Sequence, residues 1–96
     1  MYKIHWNDAL YRSQDTLQEA FKHMEQCYYC SCLSIMDCFN NGELETESLP
    51  EAFEAIEVYA VDTETGEVEQ LPVARQAELQ AEAKRTYSFV EDAWLK

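Results

Sequence analysis

Ile56-Glu57-Val58-Tyr59-Ala60-Val61-Asp62-Thr63-Glu64-Thr65-Gly66-Glu67-Val68-Glu69-Gln70-Leu71 is the stretch whose reading decides the fold. Ile56, Val58 and Ala60 alternate with Glu57, Tyr59 and Val61, the period-two signature of a strand with one buried face. Asp62 to Gly66 is a turn segment, and Gly66 suits the left-handed position of a type I turn in a hairpin. Glu67 to Leu71 then returns as a second strand, and Pro72 ends it. This predicts a β-hairpin over about residues 56–71. Ile56, Val58, Ala60 and Val68 are expected to face the core, with Glu57, Glu67 and Glu69 on the outer face.

Working outward, residues 73–95 read as a helix, with Leu79, Ala83, Tyr87, Val90 and Trp94 at near-helical spacing. On the other side, Ser48-Leu49-Pro50-Glu51 has the form of a helix start, with Ser48 as cap and Pro50 in the first turn. That helix must be short, because the hairpin follows at once. Tyr2 to Trp6 reads as a strand, and Asn7-Asp8 as a turn. Ala9 to Arg12 either returns as a strand or leads directly into a helix capped by Ser13 or Asp15. From Leu17 the period is helical through Ala20, Phe21, Met24, Cys27, Tyr28 and Ile35. The run from Cys27 to Phe39 has two readings. The absence of Gly or Pro favours a continuing helix, stopped at Asn40-Asn41-Gly42. A strand buried on both faces is the alternative, because Cys-Tyr-Tyr-Cys-Ser-Cys is a poor helix former. The expected class is α+β: one domain, residues 1–96, with two main helices packed on a small antiparallel sheet.

Charge is the sharpest compositional feature. Nineteen acids stand against seven Lys and Arg, for a net charge of −12. Direct binding of DNA or RNA needs the opposite sign, and an anionic bilayer would repel the chain. No run approaches the length and apolarity of a membrane span, and residues 1–15 lack a signal-peptide core. A cytoplasmic location is therefore expected. Between Lys22 and Arg75 there is no Lys or Arg, and this window holds twelve acids, ten of them between Glu43 and Glu69. Charge this far from zero keeps a small domain soluble. It also creates a one-sign field suited to a basic partner. The candidate partner-binding residues are Glu43, Glu45, Glu47, Glu54, Glu57, Tyr59, Asp62, Glu64, Glu67 and Glu69. If Glu43 to Glu47 is extended, its carboxylates recur at roughly 6.5–7 Å, twice the strand rise. That interval is comparable to the phosphate spacing of a nucleic-acid strand. Tyr59, Phe53 and Tyr29 are candidate aromatic anchors where exposed, with core packing as the alternative, favoured for Phe53.

Catalytic and metal chemistry find little support. Cys27, Cys30, Cys32 and Cys38 form C-x2-C-x-C-x5-C, without the two separated pairs that zinc sites use. Neither a helix nor a strand gathers all four, so free thiols packed as small apolar groups are expected. His23 and Cys27 share a helix face, yet no third group completes a nucleophilic site. Asp62-x-Glu64-x-Gly66 misplaces the glycine of a calcium loop, and Val73 stands where its last glutamate belongs. No phosphate loop or G-x-S-x-G occurs. No enzymatic activity, cofactor or metal is expected.

In size, acidity and lack of motif, and in the acidic run from Glu43 to Glu69, the chain resembles the small phage-encoded inhibitors of bacterial defence systems, anti-CRISPR proteins among them. Some of that group are DNA mimics. The resemblance implies a phage protein acting in the cytoplasm of a bacterial host. Its mechanism would be to occlude the DNA-binding surface of a host nucleoprotein machine. The alternative is a small structural or accessory protein, as a monomer or a homodimer, acting through an apolar surface built from residues such as Tyr28, Tyr29, Phe89 and Trp94.

Overall fold

The computed structural model describes residues 1–94, with side-chain surroundings for residues 1–87. The chain runs β1 (Tyr2–Trp6), β2 (Ala9–Gln14), α1 (Leu17–Asn40), α2 (Leu49–Glu54), β3 (Val58–Asp62), β4 (Val68–Gln70) and α3 (Val73–Trp94). The four strands form one antiparallel sheet in the order β2-β1-β3-β4. This is the α+β architecture expected from the alternation at residues 56–71.

Each turn is made by residues that tolerate its backbone. Asn7 (φ 49°) and Asp8 (φ 68°) are both left-handed, as a two-residue type I′ hairpin requires, and both residue types accept that region. In the second hairpin the Gly66 N–H donates to the Asp62 carbonyl at 2.8 Å, with Gly66 at φ 77°. The Asp62 carboxylate accepts from the Glu64 N–H at 2.9 Å and braces the turn.

The phase of β4 differs from the expected one. Ala60 pairs with Glu69 and Val61 with Val68. Residues directly opposite share a face, so Val68 points away from the helices and is 57% exposed. Glu69 lies on the same face as Ala60, at the sheet edge. Glu67 opposes Asp62 through the Asp62 N–H to Glu67 carbonyl bond. Loop length sets the phase of a returning strand, and here the Gly66 turn places Leu71, not Val68, in the core.

Helix α1 has 24 residues and runs through the ambiguous stretch. Cys27, Tyr28, Ser31, Cys32 and Met36 are buried along it, so tertiary packing overrides modest helix propensity. Its N-cap is Thr16, whose hydroxyl accepts from the Glu19 N–H at 3.2 Å. Ser13 and Asp15 do not cap it, because β2 extends to Gln14 and absorbs Ser13. At the other end Glu43 N–H bonds to Cys38 carbonyl (2.8 Å) and Gly42 N–H to Phe39 carbonyl (3.2 Å), with Gly42 at φ 72°. That pair of bonds is a Schellman stop. Ser48 caps α2 through the Glu51 N–H, with Pro50 in the first turn.

Helix α1 lies across the inner face of the sheet, and α3 packs beside α1 in the same direction. Side-chain bonds tie the pair along its length: Arg75 to Glu25, Gln80 to Tyr28, Tyr29 to Thr86 and Tyr87 to Asp37. The core is built on Ile4, Met24, Cys32, Ala60, Leu79 and Ala83. Fully burying a side chain the size of Ile4 or Met24 contributes about 1.5–3 kcal/mol. Leu79, Ala83 and Tyr87 keep the expected inward face, whereas the expectations for Phe89, Val90 and Trp94 concern side chains outside the described residues.

Candidate functional site

The base-free segment folds around one strand, and this decides where its acids go. Strand β3 is five residues long, so its end residues lie roughly 13 Å apart. Glu43, Glu45, Glu47, Glu54 and Glu57 precede it. Asp62 ends it, and Glu64 and Glu67 follow in the hairpin. The ten candidate residues therefore do not form one patch. Glu43, Glu45, Glu54 and Glu57 come together around two adjoining clefts, both bordered by Ile56. Glu47 sits on the loop beside them. Asp62, Glu64 and Glu67 lie at the far end of β3, and Glu69 is on the edge strand. Residues 43–47 are a bent loop, not a strand, so the expected row of carboxylates at strand spacing is not formed. The Schellman stop turns the chain here, and the Thr46 hydroxyl donating to the Ser48 carbonyl at 2.9 Å holds the bend.

The acidic end is tied together by the first hairpin turn. Asn7 N–H donates to the Glu57 carbonyl at 2.8 Å, and Glu57 N–H donates to Asn7 Oδ1 at 3.3 Å. These two bonds set Asp8 beside Glu57. The Glu57 carboxyl is pushed above its ordinary pKa, first by a hydrogen bond with Asp8 and then by the charge of Asp8. Sequence reasoning omitted Asp8. The signal for it was an Asn-Asp turn at the end of a strand, readable only once β1 was known to pair with β3.

The first cleft, of about 320 Å³, lies between the C-terminal half of α1, the loop after it and the end of α2. The second, of about 450 Å³, opens between Tyr28, Glu54, Glu57 and Tyr59. None of the residues lining either cleft is Lys or Arg.

The aromatic candidates separate by burial. Phe53 is a core residue, with Lys84 Nζ 5.5 Å from its ring centre. Tyr28 is buried, its hydroxyl accepting from Gln80 at 2.8 Å. Tyr29 is half-buried and shares a 2.9 Å bond with Thr86. Tyr59 stacks on His5 with ring centres 5.0 Å apart, on the face of the sheet opposite α1. Leu10, Val61 and Val68 share that outer face.

The cysteines are four free thiols in different surroundings. Cys27 and Cys32 are buried, Cys38 is half-buried and Cys30 is exposed. Burial pushes the thiols of Cys27 and Cys32 up to about 11, away from the thiolate a nucleophile requires. His23 meets Arg12 at 3.2 Å. Among the described residues, no three His, Cys, Asp or Glu side chains converge as metal ligands would. No helix among them is long and apolar enough to cross a membrane.

Comparison with protein-family models, with curated proteins and with solved structures finds no match.

Proposed function

We propose that this protein is a non-enzymatic binding protein that docks its acidic end on a basic, nucleic-acid-handling surface of a partner, occluding that surface. The observation that carries this reading is the gathering of Glu43, Glu45, Glu54 and Glu57 around two clefts lined by no Lys or Arg, where the Asn7 bonds to the Glu57 backbone bring the first hairpin turn, with Asp8, to the same end. Holding like charges together opposes folding, and a cationic partner would relieve the repulsion. Exposed ion pairs contribute about 0–1 kcal/mol each, so affinity must come from several pairs plus desolvated contacts in the clefts. Within this reading, an anti-CRISPR-like inhibitor of a bacterial host machine is the specific form suggested by size and acidity.

The test is capture from bacterial lysate at low salt, using the wild type and a Glu54→Lys/Glu57→Lys variant. Wild type should retain a basic nucleic-acid-binding protein that is released by moderate salt and by competing DNA, and the variant should not. Capture indifferent to salt, DNA and charge reversal would refute the proposal.

One observation favours a second reading, an accessory protein acting through an apolar surface. Leu10 and Val68 are each 57% exposed on the outer sheet face, beside the His5–Tyr59 stack. A dimer that persists at high salt and is broken by Val68→Lys would support it. A monomer at every salt concentration would argue against self-association.

A further inference from the structure

We propose that the cleft between the C-terminal half of α1 and the loop at residues 43–46 is a receptor for an arginine side chain of the protein partner. This rests on the reading just given and names the contact that would make it specific. One wall is a single helix face: Ser31, Ser34, Ile35 and Cys38 recur at the helical period. Leu44 and Ile56 face it with their hydrocarbon side chains. Glu43 and Glu45, both exposed, supply the charge at the rim.

This combination selects the ligand. A small hydrated cation would have no use for the apolar walls. An apolar ligand would make no use of the two carboxylates. A long side chain with a hydrocarbon stem and a cationic head matches both, because such residues bury the stem and keep the charge at a polar edge. Arginine fits better than lysine. Its planar fork presents five donors, and acceptors are present in two carboxylates, the Asn7 amide and the Ser34 hydroxyl. At about 320 Å³ the cleft is at the lower end of the roughly 300–1,000 Å³ typical of ligand sites, suited to one side chain more than to a large molecule. Its shape is held from behind. The Trp6 indole N–H donates to the buried Ser31 hydroxyl at 2.8 Å, and the Schellman bonds at Gly42 fix the start of the loop.

The experiment uses the full chain and three capped peptides: one containing arginine, its lysine counterpart, and its uncharged citrulline isostere. Binding is followed by amide chemical shifts and by alkylation of thiols. Cys38 lines the cleft and Cys30 is exposed outside it, so Cys30 is an internal control. The arginine peptide should shift resonances around Ser34, Leu44 and Ile56 and slow alkylation of Cys38 but not Cys30. A Glu43→Gln/Glu45→Gln variant should bind it about tenfold more weakly, whereas Glu64→Gln/Glu67→Gln should change affinity by no more than about twofold. Ser34→Trp fills the cleft without altering charge and should abolish protection of Cys38. Should that variant fail to fold, the two glutamine variants decide the matter. Equal binding of the lysine or citrulline peptide would overturn the arginine assignment. Equal losses from the cleft and hairpin variants would overturn the cleft itself while leaving diffuse electrostatic docking intact. Failure of the acidic end to bind any basic partner in the lysate experiment would instead remove the underlying reading.

Discussion

At the scale of single residues, the Asp8–Glu57 contact has a consequence for stability. The folded state raises the Glu57 pKa, so it holds a proton more tightly than the unfolded chain does. This favours folding below the ordinary carboxylate pKa of about 4.3 and is lost as pH rises through the raised folded value. Above that value the pair is repulsive. Asp8→Asn keeps a residue that accepts positive φ and removes the charge. It should return Glu57 to the ordinary carboxylate range in an NMR titration. Urea denaturation should find the variant more stable than wild type at neutral pH, with the difference shrinking towards acid. An unchanged Glu57 titration would contradict the contact. The identity of this pair was not legible in the chain. Glu57 was visible as one acid of twelve in the base-free window, but Asp8 is 49 residues away, and only β1–β3 pairing joins them.

At the scale of elements, the alternation from Ile56 to Ala60, the period from Leu17 to Met24 and the spacing of Leu79, Ala83 and Tyr87 were sufficient to place the hairpin, the first half of α1 and α3. Two details were not. The stretch from Cys27 to Phe39 carries weak local preference, and only burial against sheet and α3 makes it helical. The phase of β4 depends on how many residues the Gly66 turn consumes, which alternation within Glu67 to Leu71 does not reveal. The end of α1 was easier to read, because Asn-Asn-Gly names a stop. Gly42 sits at φ 72°, and a Cβ there would meet nothing within 4 Å. Gly42→Ala should therefore act through the backbone alone, costing about 1 kcal/mol by the penalty of a left-handed non-glycine residue. Chemical denaturation measures this directly. A neutral substitution would show that the Schellman stop does not hold the loop in solution.

At the scale of the whole molecule, the charge pattern was plain in sequence and its spatial arrangement was not. An antiparallel fold sends the residues before β3 to one end of the sheet and those after it to the other. A continuous acidic run therefore becomes two groups, the first of them built into the two clefts described above. Both groups repel within themselves, and few bases offset them. Sodium chloride should raise the thermal midpoint by several degrees, since screening acts on a net charge of −12. Glu43→Gln/Glu45→Gln should show a smaller rise than wild type. A midpoint that falls with salt would mean that favourable ion pairs such as Arg75–Glu25 outweigh the repulsion.

The hydrogen bond from Trp6 to Ser31 joins a fluorophore to the back of a cleft wall. Any occupant that shifts Ser31 must alter the polarity felt by the indole. Tryptophan emission thus gives an intrinsic optical gauge of occupancy, with no label attached and no knowledge of the partner needed. A Trp94→Phe background would assign the signal to Trp6 alone.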